Sequence, residues 1–344
     1  MNENRTEIAS LGEFGLIEQL TKNTLLHNAT SVLGIGDDAA IIDPMGKHIV
    51  VSSDMLVEGV HFDLAYMPLH YLGHKSVIVN LSDIYAMMAT PTQITVSIAI
   101  SNRFSVEALE DLYAGIQQAC DEYHVDLIGG DTTSSPKGLI ISITAIGEVA
   151  ADKYVTRSGA KENDLICVSG DLGGAYLGLL LLEREKKVFM EHPTLQPELG
   201  NNQYIIRRLL RPDARKDIVA DLQEKNVQPS AMIDVSDGLS SEIMHICKAS
   251  NIGCVIYEEK IPIHADAKTV AVDMFNLDYN TATLNGGEDY ELLFTIPQAD
   301  YDKIKHHPDI SVIGYCTAPE LGKKLVTKSN VQHDLVAQGW VHKI

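Results

Sequence analysis

A chain of 344 residues, 45% hydrophobic and 22% charged, can build about two packed cores and is not disordered over most of its length. Forty-seven acidic against 27 basic residues give a net charge of −20, which excludes a general nucleic-acid binder and a protein drawn to anionic membrane surfaces. A phosphate substrate remains admissible if something screens the repulsion, and bound divalent cations are the obvious agent.

Short β-rich runs alternate with helical stretches, so the fold class is α/β or α+β. His48–Ser52 reads as a strand, closed by Ser52-Ser53-Asp54. Tyr71–Met88 reads as a helix that Pro91 stops, and Gln93–Ile100 as a β-branched strand. Ser105 suits an N-cap for a helix from Val106 to about Glu122. Strands follow at Val125–Ile128, ended by Gly129-Gly130-Asp131, and at Leu139–Ile146. The polar stretch Ala150–Lys161 marks a domain boundary, giving domains over residues 1–150 and 151–344. The second domain opens with a strand at Leu165–Val168. A glycine-containing turn, Gly170–Gly174, then leads into a helix through about Glu183. Glu191–Gly200, with two prolines, reads as a surface excursion. Ala231–Val235 is a strand that breaks at Ser236-Asp237-Gly238 and opens a helix to about Ala249. Further strands are expected at Gly253–Tyr257, Tyr290–Thr295, Val312–Tyr315 and Lys324–Thr327.

Five cysteines, with no CxxC and no zinc spacing, read as reduced, buried small hydrophobes. The polar start lacks the apolar core of a signal peptide, and no apolar run approaches the ~20 residues that cross a bilayer. A cytoplasmic protein is expected, with no membrane partner.

The familiar phosphate loops are missing. Gly73-His74-Lys75-Ser76 lacks the first glycine of a Walker A loop and sits in a helical pattern, and no GxGxxG follows a strand. What remains is a set of acids beside glycines or strand ends: Gly36-Asp37-Asp38, Ser52-Ser53-Asp54, Asn80 and Asp83 on one helix face, Gly129-Gly130-Asp131, Asp234-Val235-Ser236-Asp237-Gly238 and Gly286-Gly287-Glu288-Asp289. Any one of these is ordinary turn or N-cap chemistry. Together they offer oxygen ligands of the kind Mg²⁺ shares with substrate phosphates.

In this order, with Leu127-Ile128 before the glycine pair, Thr156-Arg157-Ser158-Gly159-Ala160-Lys161 and Leu284-Asn285 before Gly286, the motifs closely resemble those of bacterial thiamine-monophosphate kinases. The likeness covers nearly the whole chain. That family lies in the superfamily of aminoimidazole ribonucleotide synthetase. The resemblance implies an N-terminal sheet domain that pairs in a homodimer, a C-terminal α/β domain, and an active site in the cleft between them. It implies a reaction in which ATP phosphorylates thiamine monophosphate to thiamine diphosphate by direct in-line transfer with several Mg²⁺ ions.

The resemblance also assigns roles. Asp38, Ser52, Ser53, Asp54, Asp83, Asp131, Asp234 and Asp237 match metal-binding positions, with Asp83, Asp131 and Asp237 the most directly catalytic. Tyr113, Gly130, Asp131, Arg157 and Ser236 match ATP contacts. His61, Glu288 and Trp340 match contacts to the thiamine phosphate, where an acid and an aromatic ring suit a thiazolium cation. Ser53 stands where the family often has threonine, and Tyr85 and Met88 are bulkier than usual after Asp83. Relatives of the superfamily fit less well. No cysteine precedes Cys120, as a selenophosphate synthetase would need, and the chain ends His342-Lys343-Ile344 rather than in the cysteine of the hydrogenase maturation dehydratase. Aminoimidazole ribonucleotide synthetase differs around the first acidic motif. A non-catalytic nucleotide-binding paralogue would have no need to keep the full acid set.

Overall fold

The computed structural model describes residues 12–33, 41–200 and 202–337. Asp38 and Trp340 lie outside the described residues. The chain divides into two compact units, the first running to Asp152 and the second from Lys153, with Ala86–Met88 belonging to the second.

In the first unit, helix α1 (Gly12–Thr21) precedes the small antiparallel pair β1 (Ser31–Leu33) and β2 (Ile41–Ile42). Then come β3 (His48–Val57), α2 (Leu69–Ala86), β4 (Thr90–Ile100), α3 (Val106–Tyr123), β5 (Asp126–Ser134) and β6 (Leu139–Val149). The four long strands form one sheet in the order β3-β6-β4-β5. Only β4 and β5, joined through α3, are parallel, as a helical crossover requires. Ser105 caps α3 as its sequence suggests, accepting from the Ala108 amide at 3.3 Å.

Along β6, Leu139, Ile141, Ile143 and Ala145 are buried while Ile140, Ser142, Thr144 and Ile146 are only half-buried, so one face of the sheet is covered and the other open. Helix α2 is buried nearly all round. A Cβ on Gly73 would meet the Leu112 carbonyl at 1.9 Å, so only glycine lets α2 lie against the backbone of α3. Asp126, fully buried at the start of β5, accepts the Asn28 amide at 3.0 Å and the Ser31 hydroxyl, tying the segment before β1 to the sheet.

The second unit runs β7 (Leu165–Ser169), α4 (Gly174–Glu191), α5 (Gln203–Leu210), α6 (Lys216–Glu224), β8 (Ala231–Asp234), α7 (Leu239–Ser250), β9 (Gly253–Tyr257), α8 (Ala265–Thr269), α9 (Tyr279–Asn285), β10 (Leu292–Ile296), α10 (Tyr301–Ile304), β11 (Ile310–Thr317), β12 (Lys323–Val326) and β13 (Gln332–Asp334). Seven strands make one sheet in the order β13-β12-β9-β11-β7-β10-β8, antiparallel except for β9 with β12. Its core gathers Ile166, Val168, Ile233, Leu293 and Ile313 from the strands with Leu239, Ile243 and Ile246 from α7. All five cysteines are buried free thiols.

Three expectations change. Ser52-Ser53-Asp54 does not close a strand, because β6 offers partners as far as Ile140 opposite Val57 and the strand runs on. Gly129-Gly130-Asp131 lies inside β5, which stays paired with β4 through Ser134. Helices α5 and α6 fill a stretch for which the sequence reading named no element.

Candidate functional site

In the first unit Asp54 and Asp83 meet at the junction of β3 and α2. Successive strand residues face opposite ways, so Ser52 and Asp54 share one face and Ser53 takes the other. The Ser52 hydroxyl donates to Asp83 Oδ2 at 2.5 Å, and the Asp54 amide donates to Asn80 Oδ1 at 3.0 Å. Asn80 and Asp83 are one turn apart on α2, so a single helix face supplies both partners. Burial, and then the charge of Asp83, push the Asp54 carboxyl up from 3.8 to about 6. Two carboxylates and a hydroxyl close together form an oxygen-only set whose mutual repulsion a divalent cation would relieve, so these residues fit Mg²⁺. Among the described residues, no three His, Cys, Asp or Glu side chains form a ready-made cage. Mg²⁺ commonly takes one or two carboxylates and completes its shell with waters and substrate phosphates, so a pair is the expected arrangement.

The register separates Ser53 and Asp131 from that pair. Ser53 donates to the Ile143 carbonyl at 3.2 Å and meets Thr144 Oγ1 at 3.0 Å on the open face. Asp131 pairs with Ser97, Ser97 with Ser142, and Ser142 with Met55, so Asp131 lies on that same open face. It is exposed, on the edge strand opposite β3, and its Oδ1 accepts the Thr132 amide at 2.9 Å. Gly130 precedes it on β5. His61 turns back on β3, its Nδ1 accepting the Val57 amide at 3.0 Å. Tyr113 is buried on α3, and burial pushes its hydroxyl up to about 12.

The second unit brings a different group together. Asp234 ends β8, and Ser236 and Asp237 follow in the turn into α7. The Asp237 amide donates to buried Glu242 at 3.1 Å, an acid placed in the first turn of α7. Against this turn runs the segment 286–291: Glu288 N donates to Ser236 O at 2.7 Å, Tyr290 N to Val235 O at 2.9 Å, and Val235 N to Glu291 O at 2.7 Å. A Cβ on Gly287 would stand 2.4 Å from the Ser236 carbonyl. The fit holds Glu288 and Tyr290 at φ +64° and +53°, left-handed conformations that cost on the order of 1–3 kcal/mol each for side-chain-bearing residues. Arg157 is exposed in a turn beside β8, where Met232 N donates to Thr156 O at 3.0 Å. Ser250 Oγ accepts the amides of Gly159 and Ala160, both at 3.2 Å, and fixes that turn.

Sequence reading counted Asp289 among the acids open to a cation, whereas its carboxyl is buried on backbone amides, and it gave no role to Glu291, Arg208 or Arg215, which hold this segment. Asp289 is fully buried and accepts the amides of Gly173 at 2.7 Å and Ala175 at 3.3 Å, occupying the N-terminus of α4. Burial raises its carboxyl to about 7 against the pull of Arg208 and the two amides. Glu291, also buried, takes Arg208 Nη1 at 3.0 Å, Arg215 Nη1 at 2.6 Å and Ser169 Oγ at 2.5 Å. The available signal was the apolar spacing Ile205, Ile206, Leu209, Leu210, which predicts a helix and puts Arg208 on it.

Residues 36–149 match the family model described as AIR synthase related protein, N-terminal domain. The chain is 33% identical over 340 residues to the thiamine-monophosphate kinase of Bacillus subtilis (strain 168), spanning 96% of this chain and 99% of that one. The crystal structure of thiamine-monophosphate kinase from Stenotrophomonas maltophilia K279a superposes with a TM-score of 0.78 at 30% identity, covering 94% of this chain and 98% of the other. AaThiL, solved in complex with AMPPCP and TMP, superposes with a TM-score of 0.74 at 31% identity, covering 99% and 100%. Identity of this order across almost the full length of both chains establishes that this chain belongs to the thiamine-monophosphate kinase family.

Proposed function

We propose that this protein transfers the terminal phosphoryl group of ATP to the phosphate of thiamine monophosphate, giving thiamine diphosphate. Family membership supports the reaction, and the observation that carries it to this chain's own residues is the Ser52–Asp83–Asp54 oxygen set. The acceptor phosphate has a second pKa near ~6 and is largely ionised at neutral pH, so the chain need not supply a base to activate it. Positioning and charge neutralisation remain. A bound Mg²⁺ would supply positive charge against that developing on the transferred phosphoryl group. Asp54 and Asp83, with Ser52, would hold it in the first unit. Asp234 and Asp237 offer a second carboxylate group; the family resemblance also implies Asp38, Ser53 and Asp131, of which Ser53 and Asp131 face away from Asp54 and Asp83. The family resemblance assigns Arg157, Tyr113, Gly130 and Ser236 to the nucleotide, Arg157 as a direct positive partner for its phosphates. The family resemblance assigns Glu288, His61 and Trp340 to the cationic acceptor.

The open face of the first sheet exposes Ile49, Val51 and Met55 on β3 beside half-buried Ile140 and Ile146 on β6. We assign this face to a second copy of the chain, forming a homodimer. Five free, buried cysteines suit a reducing, cytoplasmic setting.

Incubation with ATP, Mg²⁺ and thiamine monophosphate tests the reading. Thiamine diphosphate should accumulate in step with ADP. Release of inorganic phosphate alone, or strong preference for another acceptor, would overturn it.

A further inference from the structure

Arg208 lies on α5, away from every motif the sequence singles out, yet its guanidinium closes on the acceptor segment from behind. Nη1 donates to Glu291 Oε1 at 3.0 Å, and Nη2 donates to the main-chain carbonyls of Asp171 at 3.1 Å and Asp289 at 3.0 Å. The Asp289 carbonyl sits between the two left-handed residues, Glu288 and Tyr290. That peptide is therefore gripped at its carbonyl by Arg208, while the Asp289 side chain is gripped by the Gly173 and Ala175 amides of α4. Glu291 is held in turn by Arg208, Arg215 and Ser169, and Arg215 is anchored by Asp217 through bonds of 3.0 and 2.8 Å. A backbone held out of its preferred region needs such over-determination to persist. Six side chains, those of Arg208, Asp289, Glu291, Arg215, Ser169 and Asp217, are spent on one short loop.

We propose that Arg208, acting with Glu291 and Arg215, is a positioning residue: a buried ionic strut that holds Glu288 in its left-handed conformation and so sets affinity for the cationic phosphate acceptor. The proposal rests on the reading of Glu288 as an acceptor contact. Arg208 touches no substrate in it. Its planar fork is what the geometry uses, since one guanidinium reaches a carboxylate and two carbonyls at once and a lysine ammonium cannot reproduce that spread. Losses through such supporting residues run to about 10–100-fold.

The test compares Arg208→Lys, Glu288→Gln and the double variant in the full chain, reading KM for thiamine monophosphate, KM for ATP, kcat and thermal midpoint. Arg208→Lys should raise KM for thiamine monophosphate about tenfold and leave KM for ATP within about twofold. In the Glu288→Gln background the same change should add almost nothing, because residues acting through one another are not additive. Multiplying losses in the double variant, or equal rises in both KM values, would overturn the strut while leaving the acceptor reading intact. Unchanged KM for thiamine monophosphate in Glu288→Gln alone would overturn that reading and the strut with it. Should Arg208→Lys fail to fold, Glu291→Gln, which keeps an oxygen and the side-chain shape, is compared in the same way with the same deciding outcomes.

Discussion

The Glu288 amide donates to the Ser236 carbonyl across 2.7 Å, so two acidic motifs distant in the chain are one piece of hydrogen-bonded backbone. The glycine between them in space, Gly287, keeps the strands of this contact at bonding distance.

Gly287→Ala would therefore drive a methyl group to within 2.4 Å of the Ser236 carbonyl. The two turns must part, at about 1–3 kcal/mol of stability. Turnover should fall by about 100-fold, since small displacements of positioned groups cost that much. Circular dichroism and steady-state kinetics check it, and wild-type turnover with a wild-type melting temperature would show the contact to be loose.

Asp83→Asn removes a carboxylate from the Ser52–Asp54 set while preserving its shape. Turnover at saturating Mg²⁺ should drop by at least about 100-fold. The melting temperature of the metal-free protein should hold or rise, because the variant loses the charge that opposes Asp54 ionisation. Parallel Mg²⁺ titrations of activity and of thermal stability measure both.

Asp54 also gives a pH dependence with a definite sign. Its carboxyl is raised from 3.8 to about 6 in the fold by burial and by Asp83. Such a group favours folding fully below pH 3.8, and that contribution is lost as pH rises through about 6. The effect is at most about 3 kcal/mol, before screening of its exposed part. The metal-free protein should melt at a higher temperature relative to Asp54→Asn at pH 5 than at pH 7.5, and Mg²⁺ should recover the difference at the higher pH. Melting curves of both proteins at the two pH values decide it.

Val51 is exposed on β3 opposite half-buried Ile146. Val51→Lys puts a charge in the centre of the face assigned to a second copy. Sedimentation should show a dimer for the wild type and a monomer for the variant, with the melting temperature of the dilute variant close to that of dilute wild type. A variant that sediments as the wild type does would remove this face from the interface.

What the sequence made legible was local. The Ser105 cap and the strand Gly253–Tyr257 follow from side chains acting on their own neighbourhood. The pairing of Ser52 with Asp83 was half legible: both belong to motifs, but their contact depends on how α2 lies against β3. The opposite facing of Ser53 was not, because Ser-Ser-Asp reads as a turn until β6 is known to extend beside it. Asp131 misled for the same reason: a glycine pair looks like an ending, and only the parallel partner β4 keeps β5 going. Arg208 and Arg215 were hidden most deeply. Their meaning lies in Glu291, far along the chain, and no short window contains both.

The glycine-rich entry to α4 has the look of an anion cradle, yet Asp289 already fills it from within. Sulfate or pyrophosphate in a buffer should leave that helix end untouched. An inhibitor carrying a diphosphate mimic gains nothing by reaching for it, and selectivity between this protein and nucleotide enzymes that do bind phosphate at such a turn could be built on that difference.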